Sequence, residues 1–157
     1  MIRFIAAIDI RRGLANENGI PWQGKLPTDV AYFRNKTTGG NLLMGYGWYQ
    51  EQEHPLANRR NIVATTKDEL LRDGFEKVKD AREYLRNSTQ DVWVGGGAQL
   101  FETTIDLADE LYLTKIETDF HCTKFFPPYE TNFKLVSSRG PIAENGLQFS
   151  FCIYQRF

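Results

Sequence analysis

The stretch Asp91-Val92-Trp93-Val94-Gly95-Gly96-Gly97-Ala98-Gln99-Leu100-Phe101 sets the reading of the whole chain. A short apolar run, which reads as a strand, passes into three glycines, and a helical pattern follows over 98–107. At such a strand-to-helix turn, exposed backbone N–H groups and the helix dipole can hold a phosphate. Glycine also lets a ligand approach the backbone closely. The same triplet serves equally well as a tight connection with no ligand. It is neither Gly-x-Gly-x-x-Gly nor a phosphate loop with its Lys and Ser/Thr, so ATP hydrolysis gains no support.

Working outward, 2–8 (Ile-Arg-Phe-Ile-Ala-Ala-Ile) is a mostly apolar run ended by charge, the pattern of a strand buried on both faces in the middle of a sheet. Asp9 to Pro27 holds three glycines and two prolines with no apolar period, which predicts a long loop of the kind that often carries function. Thr28 to Lys36 reads as a short helix with Val30, Ala31 and Phe33 on one face and Asp29 in its first turn. Strands are expected over 41–44 and 61–65 with a helix over 46–52 between them, then a helix over 79–87 on Ala81, Tyr84 and Leu85. Strands over 111–116 and 148–157 follow, the last one closing a hairpin after Glu144-Asn145-Gly146. Alternation of strands and helices implies an α/β fold. Its central β-sheet is mostly parallel with right-handed crossovers, has an antiparallel C-terminal edge, and is flanked by helices.

A chain of 157 residues fits one domain, 1–157, with no room for a second. Its 19 basic and 20 acidic residues leave a net charge of -1, and no window concentrates Lys and Arg, so nucleic acid is not expected as a partner. No apolar run approaches the roughly 20 residues that cross a bilayer, so no membrane partner is expected. Arg3, Asp9, Arg11, Arg12 and Glu17 break up the N-terminal region, which leaves no signal peptide and predicts a cytoplasmic protein. Cys122 and Cys152 are expected to be reduced and buried.

Among groups able to do chemistry, Asp29 is the only carboxylate between Glu17 and Glu51, with Trp22, Leu26, Val30 and Phe33 nearby in sequence. An acid in that company is partly desolvated, its pKa rises, and it suits binding of a nitrogen heterocycle or proton delivery. A first-turn Asp that merely stabilises a helix N-terminus has the same appearance. Arg59-Arg60 ahead of a strand fits bidentate carboxylate binding or plain solvation, and Thr65-Thr66-Lys67 at a strand end fits phosphate binding or capping. His54, His121 and the two cysteines form no spaced ligand set, so no metal is expected, and no Ser sits in a Gly-x-Ser-x-Gly elbow.

Several segments belong together when taken in order: Ile5-Ala6-Ala7, Leu14, Asn16-Glu17-Asn18-Gly19-Ile20-Pro21-Trp22, Leu26-Pro27-Thr28-Asp29, Phe33-Arg34, Met44-Gly45, Pro55-Leu56, Arg59-Arg60-Asn61-Ile62, Gly96-Gly97-Ala98-Gln99-Leu100-Phe101, Leu111-Tyr112-Leu113-Thr114 and Phe126-Pro127. Together they resemble the dihydrofolate reductase family over essentially the whole chain. The resemblance implies NADPH-dependent reduction of 7,8-dihydrofolate to tetrahydrofolate by a monomer, with hydride going to pterin C6 and a proton to N5. It implies that Asp29, Trp22 and Thr114 form the catalytic group, Asp29 binding the pterin with the other two linked to it. Ile5, Ala6, Val30, Phe33 and Leu56 would surround the substrate rings, and Arg59 would hold the glutamate α-carboxylate. Asn18, Gly19 and Ile20 would close over nicotinamide. Ala7, Leu14, Gly45, Trp48, Thr65, Thr66, Lys67, Gly96, Gly97, Ala98, Gln99 and Leu100 would contact the cofactor.

The chain departs from the family's pattern at Tyr46-Gly47-Trp48, where a basic residue, any residue and Thr usually follow Met-Gly and contact cofactor phosphates. Losing a charge-assisted phosphate bond costs on the order of 1.5–3 kcal/mol unless Lys67 or another base substitutes. Gly95 stands where a branched apolar residue is common, Gln23-Gly24-Lys25 adds length after Trp22, and Ala15 replaces a frequent glycine. The ribosylaminopyrimidine reductases share the scaffold, but their substrates carry no benzoylglutamate for Arg59 to hold.

Overall fold

In a computed structural model covering residues 1–157, β1 (Ile2–Ile8) lies inside an eight-stranded sheet, as its two-sided apolar pattern requires. The other strands are β3 (Asn41–Gly45), β4 (Arg60–Ala64), β5 (Phe75–Val78), β6 (Val92–Val94), β7 (Glu110–Ile116), β9 (Phe133–Glu144) and β10 (Leu147–Arg156). Their order is β5-β4-β3-β6-β1-β7-β10-β9. All pairings from β5 to β7 are parallel, while β10 runs antiparallel to both β7 and β9, so the C-terminal hairpin forms the antiparallel edge.

Helices cover both faces. α1 (Pro27–Thr37) and α2 (Tyr46–Glu51) lie over Ile5, Leu42, Met44, Val63 and Trp93. α3 (Ala81–Asn87) and α4 (Ala98–Thr104) lie over Phe4, Ile8, Leu43, Ile62 and Leu111. The helical run over 98–107 is thus α4 extended by a 3-10 turn at Ile105–Leu107. Asp80 caps α3, its carboxylate accepting from the Glu83 N–H at 3.1 Å.

The loop reading of 9–27 needs one correction. β2 (Gly13–Ala15) pairs antiparallel with β8 (Lys124–Phe125), a ladder too short to show any alternation in sequence. β5 was also not legible in sequence, because an edge strand carrying Glu76 and Lys77 lacks an apolar run. The apolar face of α1 is only partly covered: Phe33 is half-buried against the core, but Val30 is 51% exposed, and of the helix only Thr37 is fully buried. Apolar surface left open along a cleft suits a ligand that covers it.

Candidate active site

Parallel strands deliver their C-terminal ends to one edge of the sheet, where open α/β folds bind ligands. β3 ends at Gly45, β4 leads into Thr65, and β6 leads into the glycine turn. Across the β1–β7 ladder Ala7 pairs with Thr114, which brings Thr114 beside α1. There the Thr114 hydroxyl donates to Asp29 Oδ1 at 2.6 Å. Burial pushes the Asp29 carboxyl above its ordinary value, the Thr114 bond opposes that shift, and the charge of Glu144 adds to it. Asp29 is therefore a desolvated acid and not only a first-turn helix Asp.

Trp22 is buried against Phe120, ring centroids 5.2 Å apart, in a cluster with Leu26, Ile116, Cys122, Phe149 and Phe151. It makes no direct hydrogen bond to Asp29. Ile5, Phe33 and Leu56 join one apolar cluster beneath α1, with exposed Val30 beside them. Ala6 turns to the opposite face with Phe4 and Ile8, so only its backbone can meet a ligand on the α1 side.

The tertiary structure separates the two arginines. Arg60 pairs with Glu76 of β5 through bonds of 2.5 and 2.9 Å. Arg59 donates to the Ala57 carbonyl at 2.9 Å and to the Thr37 hydroxyl at 3.1 Å and has no carboxylate partner. Burial and the charge of Arg34 both lower its pKa, so a ligand anion there would relieve two neighbouring cations.

On the other side of the cleft the Gly45 N–H donates to the Gly96 carbonyl at 2.8 Å, joining the start of α2 to the glycine turn. Gly96 has φ +120°, a backbone conformation side chains disfavour, and a Cβ on Gly97 would meet nothing within 4 Å, so the start of α4 is open to a ligand. Ala98 is half-buried and Gln99 exposed, whereas the Leu100 side chain is buried in the core. The Thr65 hydroxyl accepts the Lys67 N–H at 3.1 Å, Thr66 is exposed, and Lys67 Nζ stands 5.1 Å over the Tyr46 ring. Trp48 is half-buried on α2.

The loop that carries Leu14, Asn18, Gly19 and Ile20 is anchored by a residue whose role sequence reasoning missed. Asp9, 2% exposed, accepts the backbone N–H groups of Arg11 (2.9 Å), Gly13 (2.7 Å) and Phe120 (3.0 Å). Burial opposes its ionisation, but those three bonds outweigh burial and hold its pKa below the usual value. Leu14 packs on the core, while Ile20 remains 44% exposed beyond an Asn16–Gly19 bridge. Cys122 and Cys152 are buried free thiols, and burial together with nearby Asp9 pushes Cys122 up to about 11.

No helix is long and apolar enough to cross a membrane. The family model described as dihydrofolate reductase matches residues 1–156. The dihydrofolate reductase of Bacillus subtilis (strain 168) is 35% identical over 161 residues, covering 99% of this chain and 95% of its own. That of Staphylococcus aureus (strain Mu50 / ATCC 700699) is 34% identical over 128 residues, covering 82% and 79%. Among solved structures, Enterococcus faecalis dihydrofolate reductase complexed with NADP(H) and RAB-propyl superposes with a TM-score of 0.87. It shares 27% identity and covers 99% of this chain and 96% of its own. The family model, the relatives and the superposed structure agree along essentially the whole chain, and the chain belongs to the dihydrofolate reductase family.

Proposed function

We propose that this chain, a single domain over 1–157, reduces 7,8-dihydrofolate to 5,6,7,8-tetrahydrofolate with NADPH as a cytoplasmic monomer, supplying one-carbon and thymidylate metabolism. The observation that carries the reading is the bond from Thr114 to a carboxyl whose pKa burial has raised. A carboxylate oxygen can accept from a pterin 2-amino group and ring N3–H, and Thr114 holds the acid in place for that bond. As the negative charge of the pocket, Asp29 favours protonated substrate, which directs a proton to N5. Trp22 fixes the entry to α1 through its packing and meets Asp29 through a bridging water. Ile5, Val30, Phe33, Leu56 and the Ala6 backbone enclose the rings, and Arg59 takes the α-carboxylate.

Binding of a phosphorylated dinucleotide is supported by the open space at Gly97 beside the turn at Gly96, and by Lys67 with Thr65 and Thr66, which supply charge and hydroxyls. Gly45, Trp48, Ala98, Gln99 and the backbone of Leu100 complete that wall. Ala7 and Leu14 lie toward the nicotinamide end, and Asn18, Gly19 and Ile20 close over it to exclude water. NADPH, when bound, supplies the hydride that reaches C6, so one hydride and one proton are added across the C6–N5 double bond. The test is loss of reduced-nicotinamide absorbance with purified protein, NADPH and dihydrofolate. Turnover supports the reading, and a folded protein that binds NADPH without turnover refutes it.

A further inference from the structure

Two departures of this chain from its family's pattern meet in space. A Cβ built on Gly95 would lie 2.5 Å from Trp48 Cζ3 and 3.0 Å from Cη2. Gly95 does not have the positive φ of its neighbour Gly96, so room for the indole, with a lesser contact to Leu42 Cδ1 at 3.1 Å, and not backbone freedom, is what favours glycine there. The ring occupies the space that a side chain following β6 would fill. Trp48 also meets Phe33 of α1, centroids 6.0 Å apart at 63°, within the apolar cluster that holds Ile5 and Leu56. The Gly45 N–H that bonds the glycine turn lies at the end of β3, where α2 begins. One half-buried indole thus touches both the wall of the substrate cleft and the strand end that leads into the cofactor turn.

We propose that Trp48 is a specificity-determining residue: the missing side chain at Gly95 admits its indole to the junction of the two clefts, where it packs against the aryl ring of the substrate. An indole offers a large rigid apolar face and pairs with a second ring at centroid separations of about 4.5–7 Å. It cannot replace a hydroxyl bond to phosphate, so beyond lining the cofactor wall what it adds at this junction is an aryl contact. Trp48 is thus the residue by which this cleft favours dihydrofolate over a dihydropterin without the aryl arm. The inference rests on reading this cleft as the dihydrofolate site.

The experiment compares wild type, Trp48→Thr, Gly95→Val and the double variant with NADPH, using dihydrofolate and a dihydropterin without the aminobenzoylglutamate arm. Trp48→Thr is expected to lose about tenfold of the discrimination between the two substrates, through KM for dihydrofolate and not kcat. Gly95→Val, which drives a side chain into the indole, should lower kcat/KM for dihydrofolate about tenfold, and the double variant should return to within about threefold of Trp48→Thr. Unchanged discrimination in Trp48→Thr overturns the proposal, as does a double variant whose losses simply multiply. If Gly95→Val does not fold, Gly95→Ala in both backgrounds gives the same cycle by thermal melting, with coupling expected and additivity fatal. Absence of dihydrofolate turnover in wild type instead refutes the reading of the site itself, so the two failures are distinct.

Discussion

Glu144 caps a helix 116 residues before it in sequence: the Thr28 N–H donates to Glu144 Oε1 at 3.1 Å, and the Thr28 hydroxyl donates to Oε2. Leu26 at the cap position of α1 has no side-chain acceptor, so the C-terminal hairpin supplies one. The same carboxylate helps raise the pKa of neighbouring Asp29, after burial and against the Thr114 bond.

Glu144→Gln keeps an acceptor for Thr28 and removes a negative charge facing Asp29, whose other close polar neighbours are Thr114 and Tyr32. The Asp29 pKa then falls, and the midpoint of the kcat/KM pH profile moves to lower pH. Full pH–rate profiles of both proteins check this, and coincident midpoints would remove Glu144 from the tuning of the site.

Asp29→Asn should cost about 100-fold or more in turnover at neutral pH. It should also melt at a higher temperature than wild type there. Because the Asp29 pKa is raised in the fold, its charge opposes folding increasingly as pH rises through the folded pKa, and the amide carries no such penalty. Below the ordinary carboxyl value of 3.8 the two proteins should converge. Melting curves across pH test the sign, and a variant that melts lower at neutral pH contradicts it.

Lys67 over the Tyr46 ring is a cation close to the position where Tyr46 replaces the usual basic residue. Lys67→Ala should lower kcat/KM for NADPH about 10- to 100-fold and leave NADH unchanged, because only the former carries the extra phosphate. Tyr46→Phe, which keeps the ring, should retain NADPH preference, while Tyr46→Ala loses about threefold. Equal losses with both cofactors in Lys67→Ala would place the lysine elsewhere.

Asp9→Ala strips three backbone N–H groups of their buried acceptor and is expected to cost about 2–3 kcal/mol. The Asp9 pKa is lowered in the fold, so its stabilisation is present above 3.8 and disappears as pH falls through the folded value. Urea unfolding at neutral and acidic pH reads this, together with faster proteolysis over 10–20 in the variant. A pH-independent difference would argue against the charge.

Local pattern was enough for β1, whose apolar run can only be buried on both faces, and for the strand–glycine–helix unit around Gly96. It also marked Asp29 as an acid among apolar residues and Thr65–Lys67 as a strand-end donor set. These features follow from side chains a few residues apart, which periodicity and turn chemistry report directly. Several contacts between distant segments left no local mark in the sequence. β2 exists only because β8 pairs with it, and Glu144 reaches α1 from the hairpin. Adjacent Arg59 and Arg60 diverge because Glu76 of β5 neutralises only the second. Gly95 and Trp48 look like two separate departures in sequence, and only the packing of α2 on the end of β6 makes them one exchange of volume.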